Sequence, residues 1–364
     1  MQRAPAFLIL FVSLLYLGAA GVANRVACAQ DKAGTTAKSG PHIALLLPLK
    51  SAALGRPADA VRRGVLEAQH VHAGAGLPVV IIATGDDPFD IAQAYERAVQ
   101  DGARLVIGPL TRSAVSALAG SNLVSVPTLA LNAPEVEVSL PPELHVFGLQ
   151  LENEAKQIAQ IASEKGRRRA LVVTSDSALS KRLTQAFVDE WTRRGNEVVY
   201  QFQYTTDPSS LNKLRDMLAI GSADMVFLAL DAQRAKLLRS YLGVSMPIYA
   251  TSLVHTSTET LSNYELNGVF FVDMPWLLSP DHPAVMSYAR PDSTQSNELQ
   301  RFYALGVDAY RIAQDMLKPG AEFAPLDGVT GYITMDRDRR FVRELIPAQF
   351  VQGETKPLGD ARQR

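Results

Sequence analysis

The chain is poor in cysteine: Cys28 is the only one in 364 residues. No disulfide can hold it together, and thiolate-rich metal sites are excluded. Charge of one sign is also lacking, with 36 basic residues against 37 acidic ones. That balance argues against a nucleic-acid partner, which needs a strongly basic face. The longest apolar run, residues 7–17, falls short of the ~20 residues that a membrane-spanning helix needs.

Catalytic patterns are missing as well. There is no G-x-x-x-x-G-K-S/T phosphate loop and no G-x-S-x-G elbow. The histidines are scattered, and His70 and His72 are two apart, a spacing that points them different ways on a helix. Asp336 and Asp338 begin like a calcium loop, but Arg340 takes the next ligand position and no glycine follows. Ser210-Leu211-Asn212-Lys213 spells S-x-x-K, yet Asp207-Pro208 heads it as an ordinary helix and no K-S/T-G follows. A non-enzymatic chain with no metal and no cofactor is expected.

What is present starts with an export signal. Arg3 supplies positive charge, residues 7–17 the apolar stretch, and Ala27-Cys28-Ala29 before Gln30 a small-residue cleavage site. Cleavage after Ala29 leaves no cysteine. Cleavage before Cys28 leaves it as a point of lipid attachment and outer-membrane anchoring, although Arg25 stands where lipoprotein signals usually carry leucine. Either way a periplasmic location is expected. Residues 30–41 read as a polar linker.

From residue 43 strands and helices alternate. Ile43-Ala44-Leu45-Leu46-Leu47 is a continuous apolar run, suited to a strand covered on both faces of a parallel sheet. In such folds the crevice opens at the C-terminal strand ends, which puts Leu49, Lys50 and Ser51 at its mouth. Residues 79–83 read as a buried strand. Asp86 or Asp87 caps a helix that starts with Pro88 and turns Ile91, Ala94, Tyr95 and Ala98 inward. Further strands are expected at 105–107, 127–131 and 146–149. The rhythm restarts at 153 and runs to 272. A long amphipathic helix follows at 298–317, and residues 331–350 alternate as a hairpin around Asp336-Arg337-Asp338-Arg339. The expected class is α/β, two parallel sheets flanked by helices.

Two such runs with a helix and hairpin behind them resemble the type I periplasmic-binding-protein fold, across residues 43–352. That likeness implies a first lobe of residues 42–148 plus 275–320 and a second of 149–274 plus 325–352, with 353–364 as a tail. Three strings narrow the resemblance. Asp273-Met274-Pro275-Trp276-Leu277-Leu278 is similar to the D-x-P-W-L segment of the penicillin-binding-protein activator family. Gly328-Val329-Thr330-Gly331, then Arg343-Glu344-Leu345 and Ala348-Gln349-Phe350, resembles its closing G-x-T-G…R-x-L…A-Q-F hairpin, and Leu131-Asn132-Ala133-Pro134 a third segment. The family implies an envelope protein that stimulates a class A penicillin-binding protein, a peptidoglycan synthase. Its best-known members carry a helical-repeat domain before this fold, where only the short linker is expected here.

The fold also implies an alternative, a periplasmic receptor that passes an amino acid to an ABC importer. Such receptors seat a ligand carboxylate at a helix N-terminus after the third strand, here Thr111, Arg112 and Ser113. Ser51, Asn132 and Gln150 would line the same crevice, with Asp176 and Asp273 opposite. The second lobe matches less well: Ser177-Ala178-Leu179 stands where receptors often place an aromatic. Trp276 is either an anchor for a partner or a plug between the lobes.

Overall fold

The computed structural model describes residues 40–72, 76–242, 246–291, 295–318, 320 and 323–359. The export signal, Cys28, nearly all of the linker and the last residues of the tail lie outside that set.

In the first lobe β1 (His42–Leu47), α1 (Gly55–Val71), β2 (Val79–Ala83), α2 (Pro88–Gln100), β3 (Ala103–Ile107), α3 (Arg112–Ala119), β4 (Thr128–Ala130) and β5 (Leu144–Val146) follow one another. Their strands form a five-stranded parallel sheet in the order β2-β1-β3-β4-β5. Every residue of β1 is buried, as its unbroken apolar run requires. Asp87 caps α2 through the Phe89 N–H, and the four residues expected to face inward are the four buried ones. The first helix begins at Gly55, because Pro57 falls in its first turn, where the missing N–H costs nothing. One expectation changes. Strand β2 is not buried but is the sheet edge, with Val80 and Ile81 exposed.

The second lobe runs through α4 (Leu151–Glu164), β6 (Arg169–Thr174), α5 (Ala178–Arg193), β7 (Glu197–Gln203), α6 (Pro208–Ala219), β8 (Met225–Leu228), α7 (Ala232–Arg239), β9 (Ile248–Ala250), the single turn α8 (Thr260–Asn263) and β10 (Val269–Asp273). Asp207 caps α6 by accepting from the Ser209 and Ser210 N–H groups, so the S-x-x-K string is an ordinary first turn. The short α9 (Pro275–Leu278) and α10 (Pro283–Met286) lead to α11 (Asn297–Met316). This helix returns to the first lobe and lies on α1 at backbone contact. A Cβ on Gly64 would stand 2.0 Å from the Tyr303 carbonyl oxygen, and one on Gly306 2.1 Å from that of Val61.

The closing segment, expected as one hairpin on the second lobe, divides. Strands β11 (Leu326–Gly328), β12 (Gly331–Met335) and β13 (Phe341–Glu344) make a separate three-stranded antiparallel sheet. A bridge from Arg340 to Val146 ties this sheet to the edge of the first lobe. After Leu345 the chain enters β14 (Ile346–Val351), which pairs antiparallel with β10, and β15 (Glu354–Pro357) pairs with β14 in turn. The second sheet then has seven strands, β15-β14-β10-β9-β8-β6-β7. Residues 354–357, expected as tail, are thus its outer strand. The Gln157 side chain covers the break, donating to the Leu345 carbonyl at 2.8 Å and accepting from its N–H at 3.1 Å. The whole is the two-lobed α/β fold of the type I periplasmic-binding-protein kind.

Candidate functional site at the junction of the lobes

The expected crevice residues are held by their own chain. Ser51 is buried, and its Oγ accepts from the Leu54 N–H at 2.9 Å. Thr111 caps α3 through the Ala114 N–H at 3.3 Å, and Ser113 sits half-buried in the first turn behind it. Asn132 donates to the Leu110 carbonyl and accepts from the Ala133 N–H, both at 3.0 Å. Gln150 Oε1 accepts from Asn153 at 2.9 Å, while its Nε2 is buried with no partner among the described residues. Asp176 is exposed, and Ser177 beside it caps α5.

Arg112 reaches furthest. Its guanidinium donates to the carbonyls of Pro134 and Glu135 at 2.8 and 3.3 Å, in the loop after β4. It also stands 3.6 Å from the carboxylate of Glu152, in the first turn of α4. Arg182 on α5 donates to the same Glu152 oxygen at 2.7 Å. The cation expected to meet a ligand's carboxylate therefore meets one supplied by the other lobe.

Asp273 is the centre of a second, buried cluster. His255 Nδ1 donates to it at 2.8 Å, and Arg301 of α11 donates to both its oxygens, at 3.0 and 2.5 Å. Because the carboxylate only accepts, the histidine proton sits on Nδ1. Burial alone would raise the Asp273 pKa, but the Arg301 charge and the two side-chain hydrogen bonds outweigh it and hold the group below the usual carboxylate range. Arg301 also donates to the carbonyls of Ser252 and His255. With each oxygen engaged, Asp273 has nothing to offer a ligand amine. Its role is to pin α11 to the end of β10.

Glu154, two residues beyond Glu152 in the first turn of α4, borders this cluster. It accepts from the Ser252 N–H at 2.9 Å and lies 4.0 Å from Arg343. Here burial wins over the Arg343 attraction, and the group is pushed up to about 7. Arg343 is itself buried and donates to the carbonyls of Gly148 and Thr330. That geometry explains the R-x-L string, since its arginine stitches the first crossover, at 148, to the small sheet.

Trp276 is fully buried. Its ring lies 5.3 Å from that of Tyr303, and the Arg290 guanidinium stands 5.0 Å over it. Its ring is therefore enclosed by the protein and not displayed on the surface. Two grooves, of about 890 and 910 Å³, are lined by none of the expected crevice residues. Among the described residues no group of three or more metal-binding side chains occurs, and no helix is long and apolar enough to cross a membrane.

Sequence reasoning missed Glu152, Glu154, His255 and Arg301, and named Arg343 only within a family string. Glu152 and Glu154 carried a signal, acids in the first turn of a helix at a crossover. His255 carried none, because its partner is distant in sequence.

Comparison with known proteins places this geometry. The family described as "LppC putative lipoprotein" matches residues 36–224 and 220–353. The chain belongs to that family. A curated relative, the penicillin-binding protein activator LpoA of Pectobacterium parmentieri, is 26% identical over 342 residues, 80% of this chain and 50% of that protein. The chain spans about half the length of the curated relatives it matches. Among solved structures, a putative branched-chain amino acid ABC transporter protein from Chromobacterium violaceum is 38% identical, with a TM-score of 0.73 over 86% of this chain and 100% of that one. The C-domain of LpoA from Haemophilus influenzae, described as a regulator of PBP1A, shares the fold at 23% identity and the same TM-score, over 87% of this chain and 100% of that one.

Proposed function

We propose that this LppC-family chain is a non-enzymatic envelope protein that binds a class A penicillin-binding protein and raises its peptidoglycan-synthesising activity. One observation carries the reading beyond family membership: the crevice positions a receptor would use are spent inside the protein, with Arg112 on Glu152 and Asp273 on Arg301 and His255. A body whose crevice charges Arg112 and Asp273 are already paired acts through its surface. Contact would then shift the synthase toward its active state, which requires tighter binding to that state than to the inactive one. Export to the periplasm, with a lipid on Cys28 as the outer-membrane anchor, belongs to the same reading and agrees with the lipoprotein description of the family. The lobe boundaries proposed with it are 42–148 plus 275–320 and 149–274 plus 346–357, with the small sheet of residues 326–344 between them.

The test is a purified class A synthase assayed for glycan polymerisation and cross-linking with and without the chain. Stimulation together with co-purification is expected; neither effect would end the proposal. The second reading, an amino-acid receptor, draws on the Chromobacterium likeness. It predicts a thermal shift with a free amino acid, and the activator reading predicts none.

A further inference from the structure

The chain enters or leaves the second lobe at Gly148, Met274 and Leu345, and one buried cluster grips all three places. Arg343 on β13 donates to the Gly148 carbonyl at 3.2 Å. Asp273 accepts from the Met274 N–H at 2.9 Å and binds Arg301 of α11. Gln157 of α4 holds both backbone groups of Leu345. Glu154 lies three residues before Gln157 on the same helix and is 4% exposed. One of its oxygens accepts from the Ser252 N–H, and the other accepts no hydrogen bond among the described residues. Facing that second oxygen is Nη2 of Arg343, whose Nε and Nη1 are engaged by the Gly148 and Thr330 carbonyls while Nη2 itself has no hydrogen bond among the described residues. The two atoms are 4.0 Å apart, more than about 1 Å beyond the length of a charge-assisted hydrogen bond.

We propose that Glu154 and Arg343 form a proton-operated brace of the hinge: loss of the Glu154 proton draws the two side chains into a direct ion pair that fastens α4 to the small sheet, and its return frees them. Glu154 belongs to the second lobe, and Arg343 to a sheet bridged to the edge of the first, so the gap between them spans the third crossover. The surrounding charges favour closure. Helix α4 packs on α5, β9, β10 and β13. Facing Glu154 are Arg343 from β13, Asp273 from the end of β10 and Arg301 from α11. His255, after β9, is bound to Asp273, and Arg182 of α5 is bound to Glu152. With Glu154 neutral, the two guanidiniums stand against Asp273 alone; with Glu154 ionised, they stand against two carboxylates. Burial sets where the change falls, because it outweighs the Arg343 attraction and holds the carboxyl at about 7. The brace needs no partner and is independent of the activator reading.

Pulsed electron paramagnetic resonance of the purified chain tests it. In a Cys28→Ser background, Phe89→Cys and Ala178→Cys put one spin label on each lobe, both at exposed positions in the first turn of a helix that follows a strand. With a midpoint near 7, the acid is about 97% protonated at about pH 5.5 and about 3% protonated at about pH 8.5. The distance distribution between the labels should narrow from the lower pH to the higher, with half of the change at about pH 7. Adding Glu154→Gln should leave it broad at both. Should Glu154→Gln fail to fold, Glu154→Asp replaces it: that carboxylate still titrates but stands one methylene further from Arg343, so the distribution should again stay broad. A labelled chain with the same distribution at both pH values overturns the proposal. So does narrowing that persists in Glu154→Gln or Glu154→Asp, since another group would then drive it.

Discussion

Arg112 at the start of α3 and Glu152 in the first turn of α4 stand 3.6 Å apart, one in each lobe. With Arg182, which donates to the same Glu152 oxygen, they form a latch between the lobes. The pair is partly exposed, so its contribution to global stability is expected to be no more than about 1 kcal/mol, and smaller in high salt. Its effect on lobe separation is larger, because nothing else ties α3 to α4 by charge among the described residues. Glu152→Gln should melt within a few degrees of the parent yet show a larger radius of gyration in solution scattering. An unchanged scattering curve would remove the latch.

The contact between α1 and α11 makes a second claim. Gly64 and Gly306 each face a backbone carbonyl where a Cβ would sit at 2.0–2.1 Å, far inside van der Waals contact. Gly306→Ala has no flexible side chain to push aside and must part the helices. Overpacking of this kind costs about 1–3 kcal/mol. Chemical unfolding should show that loss at both Gly306→Ala and Gly64→Ala; a neutral result at both would mean that the return helix rides more loosely on the first lobe than this contact implies.

The fold was largely legible in the sequence because its signals are local. Asp87-Pro88 and Asp207-Pro208 start helices, and the apolar run of residues 43–47 reads as a covered strand. Edge position was not legible: Val79–Ala83 is as apolar as β1, and only the strand order shows that it has one neighbour. The split at Leu345 was hidden too, since Gln157, far away in sequence, makes it possible. In the site, Arg112, Asn132 and Asp273 were found by position, but what they touch was not. Their partners Glu152, His255 and Arg301 come from other elements, and spacing carries no trace of a contact between them.

Asp308 gives the family's G-x-T-G turn its physical reason. Fully buried in α11, it accepts from the Val329 N–H at 3.2 Å and from the Thr330 N–H and hydroxyl at 2.7 Å each, and it pairs with Arg311 at 3.0 Å. Gly328 lets the turn come this close: a Cβ there would meet the Asp308 carboxylate at 2.6 Å. Asp308→Ala strands two buried amides and a hydroxyl together, and leaves Arg311 with only the Asp327 carbonyl. A loss of about 3–5 kcal/mol is expected. Faster limited proteolysis around the small sheet should accompany it, and an unaltered digestion pattern would show that the turn holds without its seat.

Glu154 makes stability depend on pH in the direction opposite to an ordinary salt-bridged acid. Its folded value is about 7 against an ordinary 4.5, because burial outweighs Arg343, Arg301 and the Ser252 N–H, and Asp273 adds repulsion. Between those two values the folded chain keeps a proton that the unfolded chain has lost, so stability falls as pH rises through the window and levels off above it. At 1.36 kcal/mol per pH unit the effect is bounded at about 3 kcal/mol. Asp273 works the other way: its depressed value contributes stability that is present above the ordinary aspartate pKa and lost only in stronger acid. Glu154→Gln keeps an acceptor for the Ser252 N–H and has no proton to lose, while Arg343 retains the Gly148 and Thr330 carbonyls. Urea unfolding at about pH 5, 6, 7 and 8 should therefore show the parent losing stability relative to the variant across the first two steps, with the difference levelling off over the last. Parallel profiles would mean that Glu154 is already ionised in the folded protein at the lowest of these pH values, and that Arg343 holds it more strongly than a 4.0 Å separation suggests.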